Sequence, residues 1–227
     1  MMRLDSICLI DDLDMRTIIG SFYSKKLFPH LCEFALSGNF LNRFRQETLQ
    51  ETKGKVLEIG FGTGLNLAHY PKAVRQIDAV DVNPSMHRLS KKRIEKSTIA
   101  VTNHVISGEN LPMDDASYDC VACTFTLCSI TDVSRALSEV NRVLKRGGKF
   151  VFLEHGLSND SGVQTWQHRL NHLQNKIGDG CHLNRDIDEI VRRASFEITS
   201  LKRLHLPVFP RVIGHCYQGI ATKHNHG

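Results

Sequence analysis

An acid and three glycines occupy alternate positions in the segment Glu58-Ile59-Gly60-Phe61-Gly62-Thr63-Gly64. Glycine lets a backbone turn left-handed and come close to a bound molecule, and the free N–H groups at the start of a following helix are then aimed at it. That is nucleotide-binding chemistry in general. The spacing narrows it, because a dinucleotide pyrophosphate calls for G-x-G-x-x-G and the place of the third glycine is taken by Leu65. Glu58 narrows it again. A carboxylate beside the loop repels a pyrophosphate and suits a ligand that carries a positive amino group and a sulfonium centre. Asp81 ends the next β-rich run about twenty residues on, where an acid can accept hydrogen bonds from two ribose hydroxyls. The plain alternative there is a turn or cap through Asp81-Val82-Asn83-Pro84.

Proton chemistry has its own candidates. His155 follows Glu154 at the end of a strand-like run, and side chains alternate across a strand, so the two should face opposite sides. His155 is the candidate base, with a histidine merely hydrogen-bonded into loop packing as the alternative. His182, in Asp179-Gly180-Cys181-His182, is a weaker one. Cys120 and Cys123 have the C-x-x-C spacing of zinc and redox sites, but no second pair follows and both lie inside the apolar run 118–127. Buried strand cysteines are the expected reading, with no metal.

These residues need elements to hold them. After a helical region over about 21–50, broken by Pro29 and Gly38, strand-like and helix-like segments alternate. Strands are expected at 55–59, 76–82, 101–106, 118–125 and 149–154. Helices are expected from Leu65, from Pro84 to about Lys96 with proline in its first turn, and from an Asp132 cap to Leu144, stopped by Gly147-Gly148. An irregular or helical insertion over 156–180, a helix over 183–194 and strands over about 197–205 and 214–222 complete the chain. Such alternation predicts a mostly parallel sheet with helices on both faces and a ligand at the carboxyl ends of the strands.

In this order the motifs resemble the class I S-adenosylmethionine-dependent methyltransferases. The carriers are Val56 to Gly64, Val80-Asp81-Val82-Asn83, Gly108-Glu109-Asn110-Leu111-Pro112-Met113, Tyr118-Asp119 and Val143-Leu144-Lys145-Arg146-Gly147-Gly148. The resemblance implies an α/β Rossmann-like fold of seven strands, order 3-2-1-4-5-7-6, the last antiparallel, with an N-terminal helical extension. It implies S-adenosylmethionine as cofactor and S-adenosylhomocysteine as product. Glu58, Gly60, Gly62 and Gly64 would line the methionine part, Asp81 would hold the ribose, and Val82 next to it would also meet the cofactor. Asn83 and Met86 would flank the adenine, Ser107, Gly108 and Glu109 would meet its edge, and Thr124 to Cys128 would pass beneath the sulfonium and face the acceptor. Glu109 as the cap of a turn is the alternative.

More narrowly, Cys123 to Ile130, Phe152-Leu153-Glu154-His155, Asp179 to Leu183 and Arg193-Ala194-Ser195-Phe196 are similar to the small thiol methyltransferases of animal membranes and their bacterial relatives, a group near the quinone methyltransferases. The implied activity is methyl transfer to a small acceptor by in-line displacement, ranked thiol, then phenol or quinone-like, then lipid amine. Two other classes are weighed against it: a domain that binds the cofactor without catalysis, and an NAD-dependent oxidoreductase, which Leu65 disfavours. Phe22, Tyr23 and Phe28 would form a lid, and Trp166, His168 and His172 a far wall, with plain packing as the alternative for each.

The bulk properties agree with a small-molecule enzyme. A chain of 227 residues, 41% hydrophobic and 23% charged, can bury one core without staples. Its formal charge of +5 is spread among acids, with no basic run interleaved with aromatics, so nucleic-acid binding is not expected. Seven cysteines in no regular framework suggest a reducing, cytoplasmic setting. No stretch of about twenty apolar residues would span a membrane, although peripheral contact is open. Residues 1–20 read as a flexible leader and 21–227 as one domain, divided into a helical cap (21–50), a cofactor-binding core (51–155) and a substrate-side insertion (156–182).

Overall fold

Strands β1 (Gly54–Ile59), β2 (Val74–Val80), β3 (Ala100–His104), β4 (Tyr118–Thr124), β5 (Leu144–His155), β6 (Phe196–His205) and β7 (His215–Lys223) form one sheet in the order β3-β2-β1-β4-β5-β7-β6. The first five pair in parallel, while β7 runs antiparallel between β5 and β6. This is the Rossmann-like topology expected from the motifs. The structure, a computed structural model, describes residues 20–223, so the leader lies outside the described residues except for its last position.

Among the described residues six α-helices surround the sheet: α1 (Phe28–Leu36), α2 (Asn39–Leu49), α3 (Pro84–Lys96), α4 (Val133–Val143), α5 (Ser161–Ile177) and α6 (Ile187–Arg193). Parallel strands covered on both sides must be apolar on both sides, and they are. On one face Leu57, Val121, Phe150 and Tyr217 pack with Leu137, Val140 and Val143 of α4 and Ile187 and Val191 of α6. On the other, Val56, Ile77, Ala122 and Val151 pack with Leu49 of α2 and Leu67. Burying a side chain of this kind contributes about 1.5–3 kcal/mol. Val140→Asp would forfeit that and place an unpaired carboxylate in the first core, so circular dichroism of the variant should show no cooperative melting.

The strand alternation decides the C-x-x-C question. Cys123 belongs to the first core and Cys120 to the second, so the pair points to opposite faces of β4 and cannot share a ligand. Capping follows the local chemistry as well. Asn83 and Asp132 accept hydrogen bonds from the backbone N–H of Ser85 and Arg135, and Gly38 precedes α2 in an extended conformation.

Several boundaries differ from expectation. The helix after the glycine loop is one short 3-10 turn, Leu65–His69, and β3 ends at His104 rather than residue 106. Helix α4 stops at Val143, and β5 begins at Leu144, because the stretch Lys145 to Gly148 continues as strand instead of breaking the chain. The insertion is mainly α5, capped by Asp160, whose carboxylate accepts from the N–H of Gly162 and Val163. Tyr23–Leu27 forms a π-helical turn ahead of α1, and Pro29 sits in the first turn of α1 rather than breaking it. No helix among the described residues is long and apolar enough to cross a membrane.

Candidate active site

A cavity of about 590 Å³ opens at the carboxyl ends of β1, β2, β4 and β5, roofed by the π-helical turn and α1. Its first wall is backbone. Gly60, Gly62 and Gly64 all have positive φ, between 56° and 78°, which only glycine adopts without strain. At Gly60 an added Cβ would come within 1.8 Å of the Thr126 hydroxyl oxygen, so even the smallest side chain would force the loop away from the residues behind it. Asp81 crosses to this loop: Oδ2 accepts from the N–H of Gly62 at 2.9 Å, and Oδ1 from the N–H of Asn83 at 2.8 Å. Burial nevertheless raises its carboxyl above the usual range, against those two hydrogen bonds.

Of the residues singled out from sequence, Gly60, Gly62, Asp81, Val82, Asn83, Met86, Ser107, Gly108, Glu109, Thr124 and His155 all border this cavity. Glu58 and Gly64 do not. Glu58 lies behind the loop, buried, where Tyr70 Oη donates to Oε2 and Asn66 Nδ2 to Oε1, both at 2.8 Å. Burial pushes its carboxyl up to about 7, opposed by those same donors. Its link to the cavity runs through Asn66, which also donates to Thr124 Oγ1 at 3.0 Å and accepts from Arg45 at 2.7 Å. Asn83 is likewise more occupied than expected: Oδ1 caps α3 while Nδ2 donates to the Ser24 carbonyl at 2.6 Å. Glu109 accepts from the Asp132 N–H at 2.9 Å, so it holds a distant turn while still bordering the cavity.

The far wall is not the one expected. Trp166, His168 and His172 do not border the cavity; Trp166 is exposed beneath Arg169, and His168 bonds Asn184. The same helix, α5, instead turns Gln174 and Ile177 toward the cavity. Of the lid candidates, Tyr23 and Phe28 border the cavity while Phe22 is exposed and does not. His182 is also off the wall, held by Asn171 and Asn175.

At the end of β5 the cavity wall is formed by His155, Cys128 and Cys181. As expected from the alternation, Glu154 faces the opposite side, where its carboxylate accepts from the Thr126 N–H at 2.9 and 3.0 Å. The Cys181 sulfur lies 3.4 Å from that of Cys128 and 3.7 and 3.8 Å from the two ring nitrogens of His155. The Cys128 contact and the imidazole pull the Cys181 thiol well below its usual range. Burial opposes the charged form of His155, but the Cys181 sulfur outweighs it and raises the imidazole.

The family model described as a methyltransferase domain matches residues 57–152. Thiol S-methyltransferase TMT1A of Homo sapiens is 33% identical over 219 residues, covering 90% of this chain and 89% of the relative. Thiol S-methyltransferase TMT1B of Rattus norvegicus is 37% identical over 169 residues, covering 70% and 68%. The chain belongs to the class I S-adenosylmethionine-dependent methyltransferases. A solved methyltransferase of Thermotoga maritima shares the fold, with a TM-score of 0.65 at 20% identity, covering 90% of this chain and 99% of that one.

In this methyltransferase, the parts that sequence reasoning missed are those that come from afar. Glu33 of α1 accepts from Arg93 of α3 at 2.6 Å and from the Thr63 hydroxyl at 2.5 Å, tying the roof to the glycine loop. Tyr23 donates to the Ile177 carbonyl and Ser24 to Asp179, both at 2.5 Å, tying it to the end of α5. No local pattern marks these pairs. Cys128 and Cys181 stand within motifs of the thiol methyltransferase resemblance, but nothing in their spacing brings them to one point.

Proposed function

We propose that this methyltransferase transfers the methyl group of S-adenosylmethionine to the sulfur of a small thiol. The observation that carries the reading is the cavity end where His155, a group suited to favour a thiolate, gathers with Cys128 and Cys181 where the methyl group would be delivered. The human and rat relatives are named thiol S-methyltransferases, which supports the same ranking. Gly60 and Gly62 would hold the methionine part, with Glu58 and Gly64 shaping the loop from behind. Asp81 and Val82 would hold the ribose, Asn83 and Met86 the adenine faces, Ser107, Gly108 and Glu109 its edge, and Thr124 would lie beneath the sulfonium.

In the reaction the acceptor sulfur attacks the methyl carbon as the bond to the sulfonium breaks, and that electron pair stays on the cofactor's sulfur to give S-adenosylhomocysteine. Alignment of the two reactants can supply roughly 7–11 kcal/mol of barrier lowering. The remaining demand is the proton. A thiol, with an ordinary pKa of about 8.5, must become thiolate, and His155 stands where it can favour that form.

An apolar stripe that runs to the cavity favours lipophilic thiols. Trp166, Leu170, Leu173 and Ile177 recur at helical spacing along α5 and are exposed, and Ile177 borders the cavity. Leu27, Leu31 and Phe34 of the roof are exposed too. Peripheral contact with a lipid surface would bring such acceptors to the site. The free cysteines suit a reducing, cytoplasmic setting, and residues 21–227 act as one unit in this reading. Incubation with labelled methyl donor and a panel of thiols, phenols and lipid amines tests it. Label on thiols first is expected; label on phenols or amines with none on thiols would refute it.

A further inference from the structure

Three potential ligands converge at the acceptor end from separate elements: Cys128 after β4, His155 ending β5 and Cys181 after α5. One donor atom from each lies within 4.8 Å of the others, and Cys128 and His155 are buried. A tetrahedral zinc ion, with Zn–S of about 2.3 Å and Zn–N of about 2.0–2.1 Å, separates its ligand atoms by about 3.5–3.8 Å. The 3.4 Å between the two sulfurs lies close to that spacing, and Cys181 stands 3.7 and 3.8 Å from the two ring nitrogens of His155, so a turn of the imidazole would aim one nitrogen at a shared ion. The two sulfurs are free thiols, 3.4 Å apart and not joined by a disulfide bond, which would be about 2.05 Å long.

The donor set is soft, and all three residues border the cavity, so a fourth position would face the space where an acceptor sits. The surroundings fix the cluster: the His182 N–H donates to the Cys128 carbonyl at 2.8 Å, and Arg185 donates to the Leu127 carbonyl. The C-x-x-C pair Cys120 and Cys123 takes no part.

We propose that Cys128, His155 and Cys181 bind one zinc-class ion whose open position takes the acceptor sulfur. The catalytic half of this rests on the thiol reading above; the binding half does not. An incoming thiol displaces a bound water, its S–H bond breaks and the proton leaves to solvent. The metal-held thiolate then attacks the methyl carbon, the bond to the sulfonium breaks with its electrons on the cofactor, and the neutral thioether departs as water returns. No electron is gained or lost, and His155 serves as a ligand rather than a proton acceptor.

Elemental analysis of the purified full chain, with Co2+ titration after chelator treatment, tests the site. About one zinc per chain and a thiolate-to-cobalt charge-transfer band are expected. Cys128→Ser and Cys181→Ser should each abolish both while S-adenosylhomocysteine still binds, and Cys32→Ser, on the same cavity, should leave both unchanged. Zinc at a small fraction of one per folded chain, or a band that survives Cys181→Ser, would overturn the site, as would a metal-free chain bridged between Cys128 and Cys181. Full thiol turnover by metal-free protein would overturn the catalytic half alone. A zinc-loaded chain that methylates only phenols or amines would overturn the acceptor assignment and leave the site.

Discussion

The two ends of the cavity are built from different materials. The end proposed to hold the methyl donor is mostly backbone, a left-handed glycine bend and strand ends that lie between residues 58 and 109, with Asp81 bridging two of its turns through N–H groups. The end proposed to take the acceptor is side chains: His155, Cys128 and Cys181 come from elements far apart in the chain, and α1 and α5 wall them in. A backbone cradle holds one fixed cofactor and tolerates little change. A side-chain wall can be altered one residue at a time, which suits the part of an enzyme that must choose its acceptor.

Substitutions at each end should therefore separate binding from turnover. The largest effect is expected from His155→Ala, which should lower thiol turnover by about 100-fold or more while S-adenosylhomocysteine binds as before, a combination read by steady-state kinetics and calorimetry. Equal loss of cofactor affinity would erase the distinction between the ends. Next comes Glu58→Gln. Because the folded carboxyl has a pKa of about 7 against an ordinary 4.5, the folded chain holds this proton more tightly than the unfolded one. Its contribution to stability is fully present below about 4.5 and is lost as pH rises through about 7. Urea unfolding near pH 5 and near pH 8 should show a wild-type decline that is smaller in the variant by roughly 2–3 kcal/mol.

Asp81→Ala should weaken cofactor binding by roughly 1–3 kcal/mol, since it leaves the N–H groups of Gly62 and Asn83 without their acceptor. Unchanged affinity in a titration would remove Asp81 from the donor end. The smallest effect belongs to the apolar stripe: Leu170→Ser with Leu173→Ser should raise KM for long-chain thiols by about tenfold or less and leave short, water-soluble thiols unaffected.

The same contrast explains which parts are legible in the sequence. The glycine bend, Asp81 and the Asn83 cap are local, each encoded by neighbours in the chain, and the sheet order comes with the motifs that resemble the family. The far wall is not legible, because a helix displays its polar and aromatic residues in sequence without showing which side faces inward; Trp166 has the size and polarity of a wall residue and is exposed. Glu58 reads as a contact to the ligand from its place beside the loop, whereas Asn66 stands between it and the cavity. Contacts such as Glu33 with Arg93 join residues 60 apart and leave no periodic trace.

The clasp that Glu33, Tyr23 and Ser24 make has a consequence for anyone shortening this protein. The sheet starts at Gly54 and the family match at residue 57, so a cut just ahead of β1 would look conservative. It would discard the ceiling over the glycine bend together with the fastenings to α3 and α5, leaving an open trough. The smallest transplantable cassette begins about thirty residues earlier than the sheet alone suggests.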